Sequence, residues 1–210
     1  MAGLAYREIF TRILTLQIPP GALVQERQLA ESLGMSRTPV REALMRLSQE
    51  GWVTINARRH SEVKKLTEND LREIMEVRHF FELRGLEAVM ENRRLSKVPA
   101  ALEAIHTRMA EVEPDILAYI LEDQCFHRAL VAAGENSRLN AFYAQVSFEV
   151  IRMGIAAMRA RGPAKGDVGE EHGRILQGIA SGKKKDARLA LSHHLDVTQA
   201  MISRCIREHY

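Results

Sequence analysis

Over the first sixty or so residues the apolar positions come in short, interrupted groups, whereas from Thr67 onward they recur at helical spacing almost without a break. Ala5, Ile9 and Ile13, spaced by four with Leu14 and Leu16 beside them, predict a helix over 4–16. Pro19-Pro20-Gly21 forces a turn after it. Glu26 to Leu33 predicts a second helix closed by Gly34, whose missing side chain suits a left-handed cap. Ser36 is placed as the N-cap of a third helix, with Pro39 in the first turn, where a lost N–H costs little. Val40, Ala43, Leu44 and Leu47 give that helix its buried stripe, and Gly51 ends it. Trp52-Val53-Thr54-Ile55 and Glu62-Val63 read as strands on either side of a basic tip containing Arg58 and Arg59. Three helices followed by strand, basic tip and strand describe a winged helix-turn-helix over residues 1–66.

Thr67 is expected to cap the next helix, and the remaining periodicity predicts helices over 67–93, 97–112, 114–133, 136–161, 168–181 and 184–208. A loop over 162–169 is the longest break. No strand is predicted after residue 66. The expected fold class is therefore mainly α: the winged helix-turn-helix, then an all-α antiparallel helical bundle over 67–210 for effector binding and dimerisation.

Charge sharpens this division. The chain carries a formal +3, but residues 1–66 hold 10 Lys/Arg against 6 Asp/Glu, and residues 67–210 hold 20 against 21. The positive excess sits where phosphates would be met. Cys125 and Cys205 are the only cysteines and form no CxxC pair, which argues against a disulfide scaffold or a zinc finger. No apolar run reaches the roughly 18 residues of a membrane span, and the N-terminus lacks a signal-peptide pattern. A cytoplasmic location is expected.

Arg37, Thr38 and Arg41 lie off the apolar stripe, near the N-terminus of the third helix. In helix-turn-helix proteins that end of the second helix of the motif enters the major groove, where arginine matches the O6 and N7 acceptors of guanine. Arg27, at the start of the preceding helix, is placed to hold a phosphate. The run from Gly21 to Leu44, and above all Ser36-Arg37-Thr38-Pro39-Val40-Arg41-Glu42-Ala43-Leu44, resembles the DNA-binding signature of the GntR family of bacterial regulators. That resemblance implies a repressor bound as a homodimer to symmetric double-stranded operator DNA. Its DNA-binding set here would be Arg27, Ser36, Arg37, Thr38 and Arg41. His60 stands where family wings usually carry Gly after the Arg, so no wing residue is carried over.

Within the bundle, Asp123 and His127 are four apart on one helical face. His172 lies on the apolar stripe with Ile175, Leu176 and Ile179, and His194 on the stripe with Leu191 and Thr198, while His193 turns away. Four ligand-type side chains on three inward stripes need a partner, which a divalent metal ion supplies. One carboxylate and three imidazoles suit zinc first, with nickel, manganese or iron as alternatives. Asp123-Gln124-Cys125-Phe126-His127, Asn136, Glu171-His172 and His194-Leu195 resemble the FCD ligand-binding domain of the FadR subfamily, in its shorter, VanR-like form. The resemblance implies that Asp123, His127, His172 and His194 hold the metal and that a small organic-acid effector completes its coordination. Arg78 falls on an inward stripe, either paired with Glu82 or clamping the effector carboxylate. Asn136 would contact effector or cap a helix. Two other readings remain: a metal-dependent enzyme on the bundle, or a regulator whose metal is purely structural.

Overall fold

The computed structural model describes residues 1–55, 61–91, 97–112, 115–161 and 167–210. The wing-tip residues Arg58, Arg59 and His60 lie outside them. The chain divides into two compact units, Met1–Leu66 together with Tyr210, and Thr67–His209.

In the first unit α1 (Ala2–Leu14) buries Ala5, Ile9 and Ile13. It ends two residues before its apolar spacing does. Leu16 takes a left-handed φ of 59°, and the Ile18 N–H turns back to the Arg12 carbonyl. Next come β1 (Leu23–Val24), α2 (Glu26–Leu33) and α3 (Arg37–Gln49), then β2 (Val53–Ile55) and β3 (Ser61–Val63). The sheet runs β1-β3-β2 with both pairs antiparallel. β1 is absent from the sequence reading, because a strand of two residues shows no alternation. Gly34 closes α2 at φ 63°, a conformation open to glycine at little cost. Ser36 holds the N-cap position of α3 with extended backbone, yet its hydroxyl makes no cap bond. The core joins Ile9 and Ile13 to Val40, Leu44, Leu47 and Val63. Beside it, Tyr6 donates to Glu50 at 2.6 Å and carries the Arg46 guanidinium 3.9 Å above its ring, tying α1 to α3.

The second unit contains α4 (Glu68–Glu91), α5 (Val98–Val112), α6 (Ile116–Ala132), α7 (Ser137–Arg161), α8 (Asp167–Ala180) and α9 (Lys184–His209), with no strand among the described residues. The Thr67 hydroxyl accepts from the Asp70 N–H, which caps α4. α6 packs against α4, α5 and α7, while α9 packs against α4, α7 and α8. At the α4–α6 crossing Gly85 is pressed onto the backbone of Leu130, where a Cβ would overlap the carbonyl. These crossings bring inward faces of α4, α6, α8 and α9 to a common centre. Among the described residues no helix is long and apolar enough to cross a membrane.

Candidate functional site

On α3, Arg37 and Arg41 are four apart and so share a face. Their side chains are 66% and 60% exposed. Glu26, at the start of α2, reaches both: one oxygen lies 3.6 Å from Arg37 and the other 3.9 Å from Arg41. The acid holds two arginines at the same helix end while leaving them largely in solvent. Ser36 and Thr38 are exposed beside them. Arg27 sits on α2, 77% exposed, paired with Glu31 at 3.2 Å. Glu26 was not foreseen as an organiser; its signal is an acid directly preceding Arg27, which a search for basic residues passes over.

In the second unit the four sequence-predicted ligands come together. One ligand atom from each of Asp123, His127, His172 and His194 lies within 4.8 Å of the other three. The His127 Nε2 is 3.1 Å from that of His194 and 3.3 Å from that of His172. An Asp123 carboxylate oxygen stands 3.3 Å from His172 Nε2 and 3.7 Å from His127 Nε2. Donors placed 2.0–2.1 Å from one zinc ion stand about 3.0–3.4 Å apart, so this spacing fits a shared cation. All three imidazoles are fully buried. His193 is exposed, as its place on α9 predicts.

The opposite ring nitrogens decide the chemistry. His127 Nδ1 bonds Glu82 at 2.6 Å, His194 Nδ1 bonds Glu171 at 2.8 Å, and His172 Nδ1 bonds the Val168 carbonyl at 2.8 Å. Each of these oxygens accepts, so each Nδ1 carries the hydrogen. A neutral ring has no second hydrogen to give. Three Nε2 lone pairs and a carboxylate therefore face one another, an arrangement that repels itself unless a cation lies between. The titration shifts agree. Burial pushes His172 and His194 down, His194 to about 3, with neighbouring imidazoles adding to it. Burial also opposes a charge on His127, but Glu82 and Asp123 outweigh it and raise that ring. Burial likewise opposes ionisation of Asp123, yet the imidazoles, His127 foremost, hold its carboxyl far below the usual range. Glu82 and Glu171, which orient two of the rings, were not foreseen in that role. Each lies 45 or 23 positions from the ring it anchors, beyond the reach of helical spacing.

Arg78 is buried at 1% exposure, and its Nε donates to Glu82 at 2.8 Å. The same Glu82 oxygen accepts from Tyr143 at 2.6 Å. The internal ion pair is thus present, but it does not use the whole guanidinium: Arg78 Nη2 is buried with no partner. Arg78 also lines a cavity of about 30 Å³ with Asp123, Gln124, Tyr119, Thr198 and Met201. Asn136 is exposed and its side-chain oxygen accepts from the Arg138 and Leu139 N–H groups, both at 3.1 Å, so it caps α7. Cys125 and Cys205 are free thiols, the first exposed and the second buried.

Residues 2–63 match the family described as bacterial regulatory proteins, gntR family, and residues 73–197 match the FCD domain. The chain belongs to the GntR family. It is a transcription regulator with a winged helix-turn-helix and an FCD domain, not an enzyme. A relative from Paenarthrobacter nicotinovorans, "Probable D-xylose utilization operon transcriptional repressor", is 32% identical over 181 residues, covering 85% of this chain and 78% of that protein. The fatty acid metabolism regulator protein of Pasteurella multocida is 40% identical over 77 residues, 36% of this chain and 32% of its own. Among solved structures, E. coli McbR/YncC is 21% identical with a TM-score of 0.76, covering 97% of each chain, which shows a shared fold.

Proposed function

We propose that this GntR-family regulator is a repressor whose operator affinity is set by a small carboxylate bound at a divalent metal ion. Three bare imidazole nitrogens and one carboxylate, locked by Glu82, Glu171 and the Val168 carbonyl, carry the reading. A bound cation supplies positive charge there and an anchor for an anionic ligand. Zinc is the first expectation for a set of three imidazoles and one carboxylate. The protein's own part is orientation: Glu82, Glu171 and Val168 fix the tautomers, and the apolar wall of Ile120, Val150, Met158 and Met201 keeps the cavity nearly dry.

Operator contact falls to Arg37 and Arg41, with Ser36 and Thr38 beside them and Arg27 on backbone phosphate. A symmetric dimer in the cytoplasm would present two such sets to half-sites about one DNA turn apart. Effector and operator then act on each other reciprocally. Whatever factor the acid takes from operator affinity, operator DNA takes from acid affinity. A purely structural metal, the second reading, predicts no such factor. Elemental analysis of purified protein, then gel shifts with and without candidate acids, tests both. One equivalent of metal and an acid-dependent shift are expected. Absence of bound metal, or operator affinity indifferent to every acid tried, would overturn the proposal.

A further inference from the structure

The cavity beside Asp123 contains a second polar feature apart from the four ligands. Gln124 is 2% exposed, and its amide nitrogen donates to an Asp123 oxygen at 3.0 Å. An ionised carboxylate only accepts, so the amide cannot be turned the other way. Gln124 Oε1 is therefore fixed pointing away from Asp123, and it is buried with no partner. Arg78 Nη2, on the same cavity wall, is an unpartnered buried donor. An unpaired acceptor and an unpaired cationic donor sharing one small cavity each carry a desolvation cost that a bound molecule can remove.

Resting on the carboxylate-responsive reading above, we infer that the effector is a short 2-hydroxy carboxylic acid, its carboxylate meeting Arg78 and its hydroxyl donating to Gln124 Oε1. The two wall groups demand complementary chemistry: an anion for the guanidinium, a neutral hydrogen-bond donor for the amide oxygen. A plain carboxylate satisfies the first and leaves the second stranded. An ammonium donor is disfavoured, because it would enter a cavity that already faces a guanidinium. Length is limited by volume. About 30 Å³ has room for roughly two water molecules, a small fraction of the ~300 Å³ or more of a drug-sized pocket. A two- or three-carbon acid fits with slight adjustment; a fatty chain or a pentose does not. Gly154 makes this tight, since a Cβ there would already stand 3.0 Å from Ile120, another cavity residue.

The test is isothermal titration of the full-length, metal-loaded protein with lactate, 2-fluoropropionate, propionate and alanine. Fluorine nearly matches hydroxyl in size but donates nothing, so the comparison isolates the donor without altering the protein. Lactate is expected to bind at least tenfold more tightly than each of the other three. In Gln124→Met the lactate advantage over 2-fluoropropionate should fall to near unity while propionate affinity holds. Metal content of the variant, measured in parallel, shows whether the Asp123 contact has been lost as well. Equal binding of lactate and 2-fluoropropionate to the wild type overturns the inference and leaves the carboxylate reading standing. So does an undiminished lactate advantage in metal-loaded Gln124→Met, and so does alanine binding most tightly. If no acid binds at millimolar concentration, both readings fall together.

Discussion

Glu82 accepts from three buried donors at once: Arg78, Tyr143 and His127. Burial opposes its charge, but Arg78 and then His127 outweigh that and hold its carboxyl far below the usual range. Glu82→Gln places an amide among donors and removes the countercharge of a buried guanidinium. It should destabilise the second unit by about 3–5 kcal/mol, read from urea unfolding; a loss under about 1 kcal/mol would contradict the network. Glu171 touches only one ring of the cluster. Glu171→Gln still offers an oxygen to His194, so it should fold and instead weaken metal binding about tenfold or more, read by competition against a chelating dye. Unchanged affinity would show that His194 needs no anchor. Acid acts on the same rings in metal-free protein. His194 and His172 titrate lower in the folded chain than in the unfolded one, whose imidazoles titrate near 6.5. Below that pH the unfolded chain binds protons that the folded chain refuses, so stability falls as pH drops. His127, raised when folded, holds its proton in both states there and adds no slope. Each lowered ring contributes up to about 1.4 kcal/mol per pH unit. Unfolding midpoints of chelator-treated protein at pH 7 and pH 5.5 check this; a midpoint that holds or rises in acid refutes it.

Helical period is a local signal, and it carried the elements well. Stripes such as Val40, Ala43, Leu44, Leu47 and Leu71, Ile74, Arg78 are buried as their spacing requires. Even the inward aim of Asp123, His127, His172 and His194 could be read from neighbours three and four positions away. Pairings between helices could not. The bond from Glu82 to His127 and the cavity formed with Thr198 depend on which faces meet across the bundle, and no spacing within one helix contains that. Two-residue β1 and the early end of α1 escaped for a related reason: backbone pairing and a left-handed residue, rather than apolar spacing, decide them. The α4–α6 crossing shows what an element-scale contact costs to disturb. In an isolated helix, alanine is better than glycine by about 1 kcal/mol. Gly85→Ala should nevertheless destabilise by about 1–3 kcal/mol, because its Cβ meets backbone that cannot rotate away. Gly173→Ala, whose nearest neighbour is the edge of His106 at 3.9 Å, should be neutral or stabilising. Thermal unfolding of the two variants side by side separates packing from propensity, and equal shifts would deny the close crossing.

At the scale of the chain, the two units divide the electrostatic work. The first sixty-six residues hold four more basic than acidic side chains, and the rest is nearly balanced. A regulator built this way draws DNA with one unit while the other stays near neutral and accommodates an anion through a local cluster. Phosphate and base contacts leave different signatures in salt. Each neutralised phosphate adds about 0.9 to the slope of log affinity against log salt, whatever the sequence. A bidentate guanine contact adds about 1–3 kcal/mol that disappears on competitor DNA. Arg27→Ala should therefore flatten the salt slope by roughly one and weaken operator and random duplex alike. Arg37→Ala and Arg41→Ala should weaken operator far more than random duplex, narrowing the gap between them. Glu26→Gln is the informative third variant. It frees both α3 arginines from their shared acid, so it should tighten random-duplex binding while losing discrimination, because charge is gained and orientation is lost. If Glu26→Gln sharpened discrimination instead, the acid would be a competitor for the arginines rather than their guide.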